Sequence, residues 1–351
     1  MNRRSFLQSA GAMFSGRSPN WRIFELTTRV EILKPSGATR IWVPEALITD
    51  TQFQKTSRNR FECQGGVVKT FRNRKEALGI TTAEFPAGAK PVLTVTSRGA
   101  TRNWAVDLSA PGNQRKLSTA EKNHFLRPTK MLPTDGIVKQ KAAGITKNAR
   151  TDVDKARAIY DWIVENTYRN PKTRGCGIGD IRFMLESGDL GGKCADLNAL
   201  YVGLARAAGL PARDVYGIRV AGSQIGYKSL GTSSANATKA QHCRAEVYLN
   251  AYGWVPVDPA DVRKVMLEEA PGHRPLDDEM VKRARTRLFG SWEMNWIAYN
   301  SAQDVVLPGS SGPPVHFLMY PQAETAEGRL DCLDPGNFRY EIASREITAV
   351  G

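Results

Sequence analysis

The residue with the clearest chemical potential is Cys194, which follows two glycines in the segment GGKCADLNAL, residues 191–200. Leucines recur after it at helical spacing, so Cys194 is predicted to lie in the first turn of a helix. The positive end of a helix dipole favours thiolate over thiol, and helix N-termini and nearby imidazolium groups lower cysteine pKa values to about 3.5–7.5. The segment therefore predicts a nucleophilic thiol, with its own backbone N–H as one donor to the oxyanion formed on attack of a carbonyl.

A base for this thiol is available in the segment QHCRAEVYL, residues 241–249, whose apolar residues alternate as they do in a half-buried strand. Cys243 faces the core in that pattern, and His242 points to the opposite side. The next strand-like segment, residues 253–258, ends at Asp258. A carboxylate there can hold one imidazole nitrogen while the other nitrogen takes the cysteine proton.

The identity of the acid is the open point in this arrangement. Pairing the two strands about the short turn between them puts Asp258 opposite Ala245 or Glu246. Contact with His242 then requires a bulge or a strong twist. Glu246 and Asp261 consequently remain rival acids.

The elements that would position these groups can be predicted from periodicity. Residues 20–110 carry short alternating segments separated by Gly, Pro and Asn, beginning with residues 21–32, and predict a small antiparallel β domain. Helical spacing follows over residues 152–165 and again from Cys194 to Ala208, where a Gly-Leu-Pro sequence ends the helix. Further strands are predicted at 214–220, 242–249, 254–257, 294–307, 315–320 and 337–349, with a helix near 277–287.

Composition limits the classes of protein that fit. The 351 residues are 41% hydrophobic, enough for a substantial core, and no run approaches the roughly 18 apolar residues of a membrane-spanning helix. The 49 Lys and Arg against 35 Asp and Glu give a net charge of +14, but the positive residues are scattered and form no basic tail. We therefore predict neither nucleic-acid binding nor stable membrane insertion.

Five cysteines without a CxxC pair leave at least one thiol unpaired within the chain.

The N-terminal segment MNRRSFLQSAGA, residues 1–12, is similar to the start of a twin-arginine export signal. The apolar stretch that follows such a start is cut short by polar residues, and no A-x-A-like cleavage site is present. We predict a twin-arginine-like leader over residues 1–18 and a periplasmic or otherwise exported protein. The alternative is a cytoplasmic protein with a basic N-terminus.

The order Cys194, His242, Asp258 and the surrounding sequence resemble the transglutaminase-like superfamily, whose catalytic triad runs Cys, His, Asp along the chain. The matching segments are GGKCADLNALYVGLARAAGLPAR and HCRAEVYLNAYGWVPVDPADVRK, with a weaker match at CGIGD upstream. The resemblance covers about residues 150–270. It implies an α+β, papain-like fold in which the helix that carries the cysteine packs on an antiparallel sheet or barrel that carries the histidine and the acid. We therefore predict a transglutaminase-like catalytic domain over residues 125–351, with a C-terminal β extension.

The resemblance further implies thiol acyl chemistry on an amide or peptide carbonyl through a thioester. Water as the acceptor gives a cysteine peptidase or amidase, and an amine acceptor gives protein-glutamine acyl transfer. The alternative is a catalytically inactive scaffold of the same fold that binds peptides or cell-wall polymers. Ala195 departs from the aromatic residue that many members carry after the nucleophile, which leaves the substrate open. The expected partner is a protein or peptide substrate, in the cell envelope if the protein is exported.

No metal or organic cofactor is needed for this chemistry, and none is predicted. Cys176, Cys194, His242 and Cys243 do supply the residue types of a zinc site. Their spacing is irregular, and Cys243 is predicted to face away from His242, so the catalytic interpretation is preferred.

Overall fold

The computed structural model describes residues 21–57, 59–232 and 235–347 of the 351-residue chain. The predicted leader, residues 1–18, lies outside the described residues. Within them the helices are α1 Thr119–Leu126, α2 Gly136–Thr146, α3 Asp152–Asn166, α4 Ile181–Ser187, α5 Cys194–Ala207, α6 Pro259–Glu268 and α7 Glu279–Arg287. The strands are β1 Arg22–Ile32, β2 Thr39–Pro44, β3 Gln54–Thr56, β4 Arg60–Cys63, β5 Val67–Asn73, β6 Leu78–Phe85, β7 Val92–Thr101, β8 Trp104–Ala105, β9 Tyr168–Arg169, β10 Gly191–Gly192, β11 Ala212–Arg219, β12 Gln241–Leu249, β13 Gly253–Val257, β14 Ser291–Trp292, β15 Trp296–Asn300, β16 Gln303–Val305, β17 Val315–Phe317, β18 Gln322–Thr325, β19 Gly328–Arg329 and β20 Phe338–Ile347.

Two five-stranded sheets are built largely from the N-terminal third of the chain. The first has the order β20-β1-β7-β3, with β4 also paired to β7, and the second has the order β19-β18-β2-β6-β5. The pairings in both sheets are antiparallel. Their apolar faces share a buried cluster that includes Val30, Ile41, Phe85, Leu93 and Phe338. The antiparallel β structure predicted for this region is therefore observed, and strands from the far end of the chain complete both sheets.

Strand β1 shows why these sheets form. Its even-numbered residues from Phe24 to Ile32 are buried, and the odd-numbered residues between them are half-exposed, as the alternation over residues 21–32 predicts. β20 pairs with β1 along nearly its whole length, so the C-terminal strand closes one edge of the first sheet. The division into a β domain at 20–110 and a catalytic domain at 125–351 stays a prediction.

The third sheet has the order β13-β12-β11-β15, and α5 packs on it. α5 is rich in Leu and Ala, and its residues from Cys194 to Arg206 are all buried. It ends just before Gly209, whose φ of +83° is a left-handed conformation that favours glycine. Helices α2, α3 and α6 pack around α5. The result is one large core between helices and sheet, and the predicted α+β class is confirmed.

Two local signals fix where α3 and α6 begin. Thr151 caps α3 by accepting the N–H of Asp154, whose carboxylate accepts the Thr151 N–H in return. Pro259 begins α6, and Asp258 is its N-cap, accepting the N–H of Asp261 at 3.1 Å. α6 is not among the elements predicted from the sequence.

None of the helices in the described ranges is long and apolar enough to cross a membrane. All five cysteines are free thiols, and Cys176, Cys194 and Cys243 are buried. These three belong to the core around α5.

Candidate active site

The first residue of α5, Cys194, lies where the helix begins and where a cavity of about 270 Å³ opens. Only 4% of the residue is exposed. Lys193 precedes it in an extended conformation, with φ of −113° and ψ of −159°, and forms the N-cap of the helix. The thiol therefore combines access from a small cavity with the positive end of a helix dipole, which favours the thiolate.

A glycine-rich loop packs against this turn, and Asp196 holds the two together. Asp196 Oδ1 accepts the backbone N–H groups of Ile178 and Gly179 at 3.0 and 2.9 Å. Asp196 Oδ2 accepts the N–H of Lys193 at 3.0 Å. A Cβ at Gly177, which has φ of +91°, would overlap this carboxylate. The Asp196 carboxylate thus fixes the backbone on both sides of the thiol.

His242 lies near the start of β12 and lines the same cavity as Cys194. Its Nε2 lies 2.8 Å from Asp258 Oδ2, a hydrogen-bond distance. His242 also lowers the pKa of the Cys194 thiol, and the two side chains line one cavity. Because Asp258 occupies Nε2, Nδ1 is the ring nitrogen left for the sulfur. The structure thus brings the three predicted site residues together.

Asp258 reaches the imidazole without a bulge between β12 and β13. The β12–β13 ladder runs in unbroken register up to the pair formed by Ala245 and Val257. Asp258 follows this last pair and leaves the strand as the N-cap of α6, with φ of −151° and ψ of 75°. Of the bulge or strong twist expected from the sequence, no bulge is present in this ladder, and the turn from strand into helix brings the carboxylate to His242.

The two rival acids have other partners. Glu246 Oε2 lies 2.8 Å from Arg213 Nε and 2.7 Å from its Nη2. Asp261 Oδ1 lies 3.4 Å from the imidazole Nε2 but 2.6 Å from Arg219 Nη2. Asp258 therefore makes the closer carboxylate contact with the imidazole, and Asp261 is a second carboxylate in the same group.

The chain is similar to known proteins in sequence and in structure. The family model of the transglutaminase-like superfamily matches residues 139–259, a segment that contains the cysteine, the histidine and the acid. An uncharacterized protein of Haemophilus influenzae is 33% identical over 346 residues, covering 93% of this chain and 92% of that protein. The chain belongs to the transglutaminase-like superfamily. The resemblance drawn from the sequence is thereby confirmed.

A candidate cysteine protease from Cytophaga hutchinsonii has a similar crystal structure, with a TM-score of 0.59 at 14% identity. The similarity covers 94% of this chain and 92% of that chain. It supports the papain-like α+β fold over almost the whole length of both proteins. Membership of the transglutaminase-like superfamily supports a cysteine-enzyme family.

Two further residues of this transglutaminase-like core hold Asp258, and neither is predicted from the sequence. Asn198 Nδ2 donates to Asp258 Oδ1 at 3.2 Å and to the backbone carbonyl of Cys243 at 2.9 Å. Arg244 Nε lies 3.7 Å from Asp258 Oδ2. Spacing is the signal that could have identified them. Asn198 lies about one helical turn after the thiol, and Arg244 lies two residues after the histidine on the strand.

Two buried tryptophans also hold β12, the strand that carries His242. Trp296 Nε1 donates to the backbone carbonyl of His242 at 2.9 Å. The guanidinium of Arg244 lies 4.7 Å from the ring centre of Trp296 and 5.5 Å from that of Trp292, within cation–π range. Both tryptophans are buried, so they act as a rigid support for the strand.

His242, Asp258 and Asp261 offer ligand atoms within 4.8 Å of one another, as a metal site would. Two arginines lie against the same carboxylates, Arg219 at 2.6 Å from Asp261 and Arg244 at 3.7 Å from Asp258. A divalent cation would have to compete with two guanidinium groups that already neutralise these acids. These three side chains are therefore better suited to proton transfer than to binding a metal ion.

The surroundings of Cys194 favour its thiolate. Hydrogen bonds with the thiols of Cys176 and Cys243, followed by the contact with His242, lower the pKa of Cys194 well below its usual value, although burial raises it. The backbone keeps two of these sulfurs together, because the carbonyl of Cys176 accepts the N–H of Ala195 at 2.9 Å.

The surroundings of His242 favour its protonated form. Burial and the nearby Arg219 lower the pKa of His242, but Asp261 and Asp258 raise it by more, and the net effect raises it from 6.5 to about 9. The imidazole is therefore protonated at neutral pH beside a thiol that favours its anion. This arrangement can hold a thiolate–imidazolium pair, with the proton on the ring.

Proposed function

We propose that this protein is a thiol acyl-transfer enzyme that acts on amide or peptide carbonyls through a thioester of Cys194. The observation that supports the proposal most strongly is the 2.8 Å contact between His242 Nε2 and Asp258 Oδ2, on a ring that lines the same cavity as the Cys194 thiol. A carboxylate at one ring nitrogen leaves the other nitrogen for the nearby thiol, which is the requirement for proton transfer during acyl transfer.

In the first half-reaction, the Cys194 thiolate attacks the carbonyl carbon, and the π electrons of the C=O bond move to oxygen. The N–H of Cys194, one of the free N–H groups at the start of α5, stabilises this oxyanion. The His242 imidazolium then gives its proton to the departing amine, the C–N bond breaks, and a thioester remains. Asp258 keeps the ring oriented and stabilises its positive charge.

In the second half-reaction, a nucleophile gives its proton to His242 and attacks the thioester, and the bond to sulfur breaks to regenerate the thiolate. Water gives a carboxylic acid, whereas a primary amine gives a new amide. We place hydrolysis first. The described lining of the 270 Å³ cavity contains five Lys or Arg side chains, which would repel a cationic amine acceptor more than they would repel water.

Alkylation with iodoacetamide at neutral pH tests the nucleophile. We expect Cys194 to react about tenfold faster than the simple thiol mercaptoethanol, because more of it is thiolate. His242→Ala is expected to remove that advantage. If Cys194 reacts no faster than mercaptoethanol and His242→Ala leaves its rate unchanged, the enzyme proposal fails and the inactive peptide-binding scaffold takes its place.

The acceptor can be identified from the products. The purified protein is incubated with a mixture of peptides, with and without a primary amine, and the products are measured by mass spectrometry. New carboxylic acids in both samples support a peptidase or amidase. Amine adducts that appear only in the second sample support acyl transfer, and unchanged peptides in both contradict the enzyme proposal.

We further propose that the protein is exported to the periplasm by its twin-arginine-like leader and acts there on a protein or peptide of the cell envelope. The pair Arg3 and Arg4 motivates this proposal. In fractionated cells, replacing both arginines with lysine is expected to leave the protein in the cytoplasm, whereas Arg17→Lys leaves its export unchanged. A wild-type protein found in the cytoplasm would favour the cytoplasmic alternative.

A further inference from the structure

The cavity that reaches Cys194 is lined by side chains of one charge sign. Among the residues that the structure describes, its lining contains neither Asp nor Glu, and it contains five cationic side chains: Arg169, Lys193, Arg219, Lys239 and Lys264. Charges in a partly enclosed cavity are screened less by water than charges on an open surface, so they attract an anion more strongly.

Three of these cations have carboxylate partners outside the cavity lining. Arg219 binds Asp261 at 2.6 Å. Arg169 and Lys264 share a single carboxylate, because Glu268 contacts the Arg169 guanidinium and also lies 3.6 Å from Lys264 Nζ. Burial, followed by the neighbouring Arg219, lowers the pKa of Lys264, although Glu268 and Asp261 raise it. One glutamate for two cations leaves this group with excess positive charge.

Lys193 and Lys239 form no ion pair with a carboxylate in the described parts of the chain. Lys193 Nζ donates to the backbone carbonyl of Thr173 at 2.7 Å, which restrains the side chain but does not neutralise it. Lys239 lines the cavity and is exposed to solvent. The two ammonium groups are therefore the cations of the cavity that are best placed to bind an anion from outside the protein.

The same two lysines lie at the junction of two cavities. A second cavity, of about 330 Å³, shares Gly175, Cys176 and Gln241 with the first, and both are also lined by the two lysines. Lys193 is the residue directly before the thiol. An anionic group bound at this junction would therefore belong to a part of the substrate close to the carbonyl that the thiol attacks.

We infer that the acyl substrate carries a carboxylate next to the reacting amide and that Lys193 and Lys239 bind it. The inference rests on the proposed function, because it concerns the substrate of the same thiol. A neutral substrate would leave these charges without a partner, and a cationic substrate would be repelled. The carboxylate can belong to an acidic side chain or to the C-terminus of a peptide.

The preference for an anion can be measured on the full chain without a known substrate. Iodoacetate and iodoacetamide deliver groups of nearly equal size to a thiol, but only iodoacetate carries a carboxylate. The rate constant of Cys194 with iodoacetate is divided by its rate constant with iodoacetamide, and this ratio is divided by the same ratio for mercaptoethanol. We expect a normalised ratio of about ten, which corresponds to about 1.4 kcal/mol of favourable charge interaction. Added salt should lower it.

Substitutions test the two lysines directly. Lys193→Gln and Lys239→Gln are each expected to lower the normalised ratio about threefold, and the double variant to bring it to about one. Lys172→Gln is the matched control, because Lys172 is exposed and lines neither cavity. Thermal unfolding of each variant shows whether the fold is kept.

Protection experiments distinguish the two sources of carboxylate. The probes are N-acetylated dipeptide amides that end in glutamate or glutamine, and an N-acetylated dialanine with a free C-terminal carboxylate. We expect at least one of the acidic peptides to slow iodoacetamide labelling of Cys194 at about a tenth of the concentration that the glutamine peptide requires. The acidic peptide that protects better identifies the source.

The outcomes separate this inference from the proposed function. Rapid iodoacetamide labelling with a normalised ratio near one overturns the carboxylate inference and leaves the thiol chemistry standing. If both reagents label Cys194 slowly but the normalised ratio is near ten, the proposed function is contradicted and the anion site is supported. A ratio near ten that persists in the double variant overturns the assignment to Lys193 and Lys239.

Discussion

The hairpin of β12 and β13 has charged side chains beside both its open end and the half nearer its turn, and the two ends differ in what these charges do. At the end near α5, His242, Asp258 and Asp261 lie close together beside the thiol. The two carboxylates outweigh burial and raise the pKa of His242 to about 9. The charges at this end therefore act on His242, a group that can gain and lose a proton during a reaction.

At the opposite end, Glu246 forms an ion pair with Arg213 at 2.7 Å, and the guanidinium lies 4.1 Å from the ring centre of Trp254. These residues line a cavity of about 1030 Å³, far larger than the cavity of about 270 Å³ at Cys194. An arginine keeps its proton, and no thiol or imidazole is among the described residues that line this larger cavity. The candidate active site is therefore identified by the convergence of nucleophile, base and acid, and not by the volume of the cavity.

The difference between the two ends is tested most severely by removing the thiol. Cys194→Ala is expected to lower kcat/KM for an amide or peptide substrate about ten-thousandfold or more, because the thiol that forms the acyl intermediate is removed. Product formation followed by mass spectrometry measures the loss. Cys63→Ala is the control, since Cys63 lies in the N-terminal sheets and should leave the rate unchanged. Activity retained above about a hundredth would show that another residue is the nucleophile.

The two acids beside the imidazole should have different effects when each becomes an amide. Asp258→Asn is expected to lower kcat/KM about a thousandfold, because the ring loses its closest charged partner. It should cost less stability than Asp261→Asn, because Arg244 lies 3.7 Å from Asp258, whereas Arg219 lies 2.6 Å from Asp261. Asp261→Asn leaves Arg219 buried without its carboxylate, so it should cost about 3–5 kcal/mol of unfolding free energy and affect kcat/KM per folded molecule far less.

Urea unfolding and steady-state kinetics on both variants measure this contrast. Stability is read from the unfolding midpoint, and activity is normalised to the folded fraction. The reverse pattern, with the larger kinetic loss in Asp261→Asn, would make Asp261 the orienting acid.

The features of the site that could be predicted from the sequence are those that depend on neighbouring residues. A glycine pair before Cys194 and leucines after it are enough to place the thiol at the start of a helix. Alternation along residues 241–249 is enough to place His242 on a strand. Both signals are local, because helix and strand periodicity acts over a few residues.

The features that could not be predicted depend on where the chain turns and on what lies across from it. Strand counting alone does not bring Asp258 to His242, because the contact forms only after the chain leaves β13 and enters α6. An aspartate followed by proline is a helix-start signal that would have predicted this turn. The roles of Asn198 and Arg244 require the packing of α5 on β12, and the pairing of β20 with β1 joins the two ends of the chain, so neither follows from periodicity.

The pH dependence of activity should reflect the raised pKa of His242. The raised pKa of His242 means that its proton is retained up to about pH 9 and lost above it, so kcat/KM should fall about tenfold per pH unit beyond that point as the departing amine loses its acid. In Asp258→Asn the fall should begin at a lower pH, because one of the carboxylates that raises this pKa is gone. A pH–rate profile of the wild type and one of Asp258→Asn give the pH at which the activity of each begins to fall. A fall near pH 6.5 in the wild type would contradict the raised pKa.

The smallest effect on catalysis is expected at the other end of the strands. Glu246→Gln breaks the ion pair with Arg213 and should reduce the unfolding free energy by about 1–3 kcal/mol, since a half-buried guanidinium loses its charged partner but keeps its contact with Trp254. Its kcat/KM should stay within about twofold of the wild type, because Glu246 has no contact with the imidazole among the described residues. Combining it with Asp258→Asn sharpens the test. Additive effects would show that the two ends act independently, whereas a kinetic loss larger than the sum would mean that the ion pair at the large cavity helps to hold His242 in place.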